Sequence, residues 1–191
     1  DYTQAILKAN AKLKTDGGGT LIFPAGNYKI KPSQIFIPSN VKWLGNGTAR
    51  IYSQETSLYN VLISTENGSK NIEIDNIIFD QRDDSAQTPN VNIWKGAFLL
   101  HIANSDNIIV RNSTFYTYGV CAILSQSNYT TPTNTIGIYN NKAYFQRKTD
   151  TDYDVSVFNI DGRNVYVENN YIEGIEVTAF KTWKPRTAYE V

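Results

Sequence analysis

Four stretches of the chain share one pattern built around an asparagine. They are Asn71-Ile-Glu-Ile-Asp-Asn76-Ile-Ile-Phe79, Asn107-Ile-Ile-Val-Arg-Asn112-Ser-Thr-Phe115, Thr135-Ile-Gly-Ile-Tyr-Asn140-Asn-Lys-Ala-Tyr144 and Asn164-Val-Tyr-Val-Glu-Asn169-Asn-Tyr-Ile172. Each reads as a short alternating strand, a bend at asparagine and a second short strand. The bends are 36, 28 and 29 residues apart, from Asn76 to Asn112 to Asn140 to Asn169. A repeat of this length means a solenoid or a propeller. Asparagine tolerates left-handed backbone torsions. Stacked copies can also hydrogen-bond side chain to side chain along the axis. We therefore expect Asn76, Asn112, Asn140 (or Asn141) and Asn169 (or Asn170) in one line.

A third strand fits between each bend and the next repeat. The candidates start at Val61, Ala97, Cys121, Val155 and Ala179. Three short strands per coil, each with one apolar face, describe a parallel β-helix, whereas a propeller blade needs four strands and about 40 residues or more. The repeat also accounts for the composition. Asparagine is rare inside ordinary strands and helices, yet this chain has 21 of them.

The N-terminal part carries its own signals. Tyr2, Ile6, Ala9 and Leu13 recur at helical spacing, with Asp1 at the start and Lys8, Lys12 and Lys14 further along, as the helix dipole favours. Gly17, Gly18 and Gly19 stop that helix, Thr20 to Phe23 begin a strand, and Pro24-Ala25-Gly26-Asn27 turns it. A phosphate-binding loop has the opposite order, strand before helix, so the glycines are read as a stop. Helix, then GGGTLIFPAGNYKI, then IPSNVKWLGNGTARIY resembles the start of the pectate-lyase-like right-handed β-helix family, and within it bacteriophage tailspikes and the neck-appendage proteins of Bacillus phages. The resemblance implies a helix that caps the first coil, a single β-helix domain over 1–191, and a homotrimer in the full-length protein. The helix takes 1–16, the leading strands 17–60, and about five coils 61–191. It also implies a virion tail or appendage setting and a bacterial cell-surface polysaccharide or teichoic acid as partner. A secreted polysaccharide lyase is the alternative within the family. The chain has no methionine, so it reads as a processed product or a piece of a longer protein, with further coils expected after Val191.

Charge excludes other classes. With 18 basic and 18 acidic residues the net charge is zero, which argues against nucleic acid as a partner. No apolar run approaches the ~18 residues of a membrane span. The single cysteine, Cys121, lies in an apolar run and is expected to be a buried inert thiol.

Candidate chemistry falls on three irregular stretches. Residues 80–96 carry Asp83, Asp84 and Trp94, which could wall a sugar-binding groove. Residues 146–154 carry Asp150, Asp152 and Asp154. If extended, these point one way at about 6.6 Å, near the lower edge of the separation that inverting glycosidases use. Like charges so close raise one another's pKa, which can keep one carboxyl protonated as a general acid. Their spacing also suggests calcium, but Val155 stands where the calcium loop needs glycine and Asp161 where it needs glutamate, so no metal or other cofactor is expected, with calcium as the alternative. A second acid would be Asp161 or Glu173. The third stretch holds Glu173 and Glu176 with Lys181, Trp183 and Arg186, in which the basic residues could meet an anionic polymer and the tryptophan a sugar face. His101, the only histidine, is read as facing out from a strand that buries Phe98, Leu100 and Ile102, and so as a residue at the margin of a binding surface. The calcium-binding acids and arginine base of the family's lyases have no residue-by-residue match here. Hydrolysis by paired carboxylates is therefore the expected chemistry, with a non-catalytic receptor-binding or structural segment as the rival.

Overall fold

The structure is a computed structural model that describes residues 1–53, 61–81, 98–117, 121–126, 135–145, 156–174 and 178–181. It opens with helix α1 (Thr3–Thr15). The Asp1 carboxylate accepts from the Thr3 N–H at 2.8 Å, and the Gly18 N–H closes the other end on the Leu13 carbonyl. Glycine is needed at that stop. Gly17 has φ +84°, and a Cβ on Gly18 would lie 2.4 Å from the Asn40 carbonyl oxygen.

Strands then follow in coils of three. The first coil holds β1 (Gly19–Phe23), β2 (Gly26–Lys29) and β3 (Phe36–Ile37), and the second β4 (Val41–Gly45), β5 (Ala49–Tyr52) and β6 (Val61–Thr65). The third holds β7 (Lys70–Asp75), β8 (Ile78–Asp80) and β9 (Phe98–Ala103), and the fourth β10 (Asp106–Arg111), β11 (Thr114–Thr117) and β12 (Cys121–Gln126). The fifth holds β13 (Thr135–Tyr139), β14 (Lys142–Phe145) and β15 (Ser156–Asn159), and the sixth β16 (Asn164–Glu168), β17 (Tyr171–Gly174) and β18 (Thr178–Lys181). Like strands of successive coils pair in parallel, giving three six-stranded sheets: sheet 1 runs β1-β4-β7-β10-β13-β16, sheet 2 from β2 to β17 and sheet 3 from β3 to β18. This is a right-handed parallel β-helix with an N-terminal helical cap. The leading strands open all three sheets: β1 and β4 begin sheet 1, β2 and β5 sheet 2, and β3 sheet 3.

Alternation sets what fills the middle. Sheet 1 sends in Trp43, Ile74, Val110 and Ile138, one above the other in register. Sheet 2 sends in Ile51, Phe79, Phe115 and Ala143, with Phe79 and Phe115 stacked at 5.3 Å. Sheet 3 adds Ile63, Leu100, Ile123 and Phe158, all without exposed surface. Each such side chain taken out of water contributes about 1.5–3 kcal/mol. Cys121 is buried at the start of β12, and burial pushes its thiol far up, so it is inert as the sequence suggests.

The helix covers the open end of this stack, but not with the stripe that its apolar residues suggest. Its buried residues are Thr3, Ile6 and Asn10, while Tyr2 is 47% exposed. Asn10 Nδ2 donates to the Phe36 carbonyl at 2.9 Å, and its Oδ1 accepts from Trp43 Nε1 at 3.1 Å. The end of a sheet leaves backbone groups that need partners, and Asn10 supplies one where an apolar residue could not.

The bend asparagines do stand in one line. Asn76, Asn112, Asn140 and Asn169 all have φ between 52° and 62°. Each of the first three donates its backbone N–H to the residue that precedes the bend in the next coil: Arg111, Tyr139 and Glu168. Their side chains do not form the ladder. Among the described residues, amide-to-amide bonds run instead from Asn107 to Asn71 to Asn40 at the starts of sheet 1 strands, from Asn104 to Asn67 just before those strands, and between Asn141 and Asn170 one residue past the bend. The bend selects asparagine for its torsion, which turns the next residue inward, and there the buried Asn141 does the bonding.

Candidate functional site

The outer face of sheet 2 collects aromatic and charged side chains in two columns. One column holds Tyr52, Asp80, Tyr116, Tyr144 and Glu173; the other holds Arg50, Ile78, Thr114, Lys142 and Tyr171. Strand-to-strand spacing of about 4.8 Å brings in-register side chains into contact. Tyr116 and Tyr144 stack at 5.0 Å, and Tyr144 meets Tyr171 at 6.1 Å with a tilt of 58°. Tyr171 is 52% exposed and its hydroxyl donates to Glu173 Oε2 at 3.0 Å. That bond, followed by the charge of Glu173, raises the Tyr171 phenol above its ordinary value. At the other end of the row, the fully buried Asp80 accepts from Arg50 Nε at 2.9 Å, and the guanidinium lies 4.3 Å from the Tyr52 ring centre.

Where sheet 1 turns into sheet 2, the bends leave a polar groove of about 220 Å³. Asn76, Asn112, Asn140, Thr114 and Lys142 are among the residues that line it. Beyond the bend, the outer face of sheet 1 is cross-braced. Lys42 Nζ reaches Glu73 Oε1 at 2.9 Å and Asp75 Oδ2 at 3.2 Å, and Arg111 bonds both carboxylates from the next coil. Asn112 Nδ2 adds 2.8 Å to Asp75 Oδ1. Two coils on, the tip of Tyr139 fills the space above Gly137, where a Cβ would lie 2.3 Å from the ring.

Burial alone would raise the Asp75 pKa, but Asn112, Lys42 and Arg111 together outweigh it and leave the carboxyl below its ordinary 3.8. A folded value below the unfolded one means stability that is complete above pH ~4 and is lost as the pH falls through the folded value. Asp75→Asn is therefore expected to cost roughly 1–3 kcal/mol at pH 7 in urea unfolding. As the pH is lowered below ~4 the gap between wild type and variant should narrow. A deficit that does not change with pH would remove the ionic cause.

The sequence candidates that lie among the described residues stand on different parts of the coil. Glu173 stands on the sheet 2 face. Asp161 follows β15 at the turn from sheet 3 into sheet 1, where its carbonyl accepts from Ser125 Oγ at 2.8 Å, so the two acids lie on different sides of the coil. Lys181 closes β18 in sheet 3. His101 lies half-buried on β9, its Nδ1 3.3 Å from Ser64 Oγ, with Leu100 and Ile102 buried as expected. Leu99 is buried as well, so this sheet hides residues of both parities. Asp83, Asp84, Trp94, Asp150, Asp152, Asp154, Trp183 and Arg186 lie outside the described residues. The root of the 146–155 stretch is nevertheless fixed. It leaves from Phe145, which pairs with Gly174, beside the Tyr144 and Glu173 pair. Of the two proposed second acids, Glu173 is thus the neighbour of that root. Among the described residues no three His, Cys, Asp or Glu converge on a metal position, and no helix is long and apolar enough to cross a membrane.

Sequence reasoning missed Tyr116, Tyr144 and Lys142. The signal was present: Asp80, Tyr116, Tyr144 and Glu173 each stand four residues after a bend asparagine.

No protein-family model and no curated protein matches the chain. Two solved structures share its fold. A Parabacteroides merdae protein proposed as a glycosyl hydrolase matches over 95% of this chain and 88% of its own, with a TM-score of 0.50 and 15% identity. The A-module of a mannuronan C-5 epimerase from Azotobacter vinelandii matches over 89% of this chain and 54% of its own, with a TM-score of 0.54 and 17% identity. At such identities the likeness concerns the fold, the right-handed parallel β-helix.

Proposed function

We propose that this chain is a carbohydrate-active β-helix whose sheet 2 face holds a polysaccharide along the coil axis. The observation that carries the reading is the row Tyr116–Tyr144–Tyr171, which ends at Glu173 beside the root of the acidic 146–155 stretch. Tyrosine combines apolar ring surface with a hydroxyl, the two kinds of contact that a sugar ring offers. Glycosidic cleavage needs two carboxyl groups, one to protonate the leaving oxygen and one to act as nucleophile or base. Glu173, held by the Tyr171 hydroxyl, supplies one, and Asp150, Asp152 or Asp154 the other. The two similar structures bear the names of a glycosyl hydrolase and a polysaccharide epimerase, which supports a polysaccharide-modifying role over a purely structural one. A phage spike setting, a trimeric full-length protein and teichoic acid as the polymer rest on the N-terminal sequence resemblance alone.

The test is binding to purified cell-wall and capsular polymers, with release of fragments as a second readout. Tyr144→Ala removes the middle of the row and should weaken polymer binding about tenfold or more, with the thermal midpoint little changed. Undiminished binding in Tyr144→Ala and Tyr171→Ala would reject the face.

A further inference from the structure

We infer that the groove at the sheet 1 to sheet 2 bend is an anion-binding subsite, with Lys142 as its cation, which holds a carboxylate or phosphodiester on the polymer. The inference rests on the proposal that the sheet 2 face binds a polysaccharide, and it adds the charge of the substituent and the residue that selects it.

Three observations carry it. Among the described residues no carboxylate lines the groove, although the chain as a whole has as many acids as bases. Among the described residues, Lys142 is the one charged residue of the lining, and its ammonium forms no ion pair. Its in-register neighbours, Thr114 and Tyr171, are neutral. Cations elsewhere on these faces are already used: Lys42 and Arg111 on Glu73 and Asp75, and Arg50 on Asp80. The side-chain donors nearest Lys142 are also uncommitted. The Asn76 and Asn112 amides are spent on the Gly45 carbonyl and on Asp75, but the Asn140 side-chain amide and the Thr114 hydroxyl make no hydrogen bond among the described residues. An ammonium, an amide N–H and a hydroxyl around one polar groove, with no acid among them, match an anion that accepts several hydrogen bonds. Lys142 pairs with Tyr171, and Glu173 with Tyr144 on the next column. A polymer over the tyrosines thus meets the cation on its bend side and the carboxylate on its loop side. Reaction and recognition are separated, so that the anion is held away from the acid that would repel it.

The experiment compares polygalacturonate oligomers, their methyl esters and glycerol-phosphate oligomers by calorimetric titration against wild type, Lys142→Gln, Lys142→Arg and Tyr144→Ala. Wild type should prefer one or both of the charged ligands to the ester, and the preference should shrink as salt rises. Which charged ligand binds tells uronate from phosphodiester. Lys142→Gln should lose about tenfold on the charged ligand and nothing on the ester, and Lys142→Arg should recover most of it. If Lys142→Gln changes neither ligand, or both alike, the subsite is overturned. With Tyr144→Ala still impaired in that case, the sheet 2 reading survives without it. Conversely, a selective Lys142→Gln loss with Tyr144→Ala unimpaired keeps the subsite and removes the tyrosine row. No binding to any of the three ligands by wild type overturns both.

Discussion

Replacing Asn141 by leucine, which keeps its size, is expected to destabilise the domain by roughly 3–5 kcal/mol, because the buried Ser113 N–H and Val110 carbonyl lose their partner together and the half-buried Asn170 loses one of its bonds. Asn141 is 1% exposed. Its Oδ1 accepts from the Ser113 N–H at 2.9 Å, and its Nδ2 donates to the Val110 carbonyl at 3.0 Å and to Asn170 Oδ1 at 3.0 Å. One side chain thus ties three successive coils from the inside. Asn141→Asp should be no better. It keeps the acceptor for Ser113 but loses both donor bonds and adds a buried charge. One residue earlier, Asn140→Gly should fall within about 1 kcal/mol of wild type, since glycine reaches the left-handed torsion as easily. Urea unfolding of the three variants checks this, and equal costs at positions 140 and 141 would refute the assignment of inner and outer asparagines.

Substitution of the acid that protonates the leaving oxygen should lower polymer cleavage about a hundredfold or more while folding is unaffected, as general acid catalysis requires. The series is Asp150→Asn, Asp152→Asn, Asp154→Asn and Glu173→Gln, each assayed on the polymer that wild type degrades. Glu173 is exposed on its strand and bonded to Tyr171, so its loss should not disturb the core. A large loss in one of the three aspartates together with one in Glu173→Gln would identify the pair. Their environments must set the two pKa values apart, and mutual repulsion in the aspartate cluster is the means the sequence offers. Wild-type cleavage by all four variants would place the chemistry on other residues. Cleavage by none, with binding intact in wild type, would leave a binding surface.

The coil is legible in the sequence because four coils make the same bend with the same residue. Asn76, Asn112, Asn140 and Asn169 recur where the chain must turn left-handed within a single residue, and alternating Ile and Val on either side report which face is inside. The cap was readable as a helix but not its inner face, because Asn10 is buried for its hydrogen bonds and a hydrophobic period passes over it. The candidate site was read least well. Clusters of aspartate attract attention within a short stretch, whereas Tyr116, Tyr144 and Glu173 are 28 and 29 residues apart in the chain and meet only when the coils stack. Their common offset from the bend is visible only after the bend itself has been located.

The two corners that flank sheet 2 differ in how they tolerate change. From the third coil to the sixth the chain passes between sheets 1 and 2 in two residues, the first of them a left-handed asparagine. In those coils an inserted residue would have to bulge out of the ladder, as the second coil does with three residues between β4 and β5, or it would turn Phe115 outward and Tyr116 inward. Between sheets 2 and 3 the connections already vary. Tyr52 to Val61, Asp80 to Phe98, Thr117 to Cys121 and Phe145 to Ser156 differ widely in length, yet their strands stay in register. The first corner behaves as a ruler and the second as a row of sockets. Segments of different length and chemistry can be exchanged there without disturbing the coil, which makes that edge the natural place to graft a new specificity onto this chain.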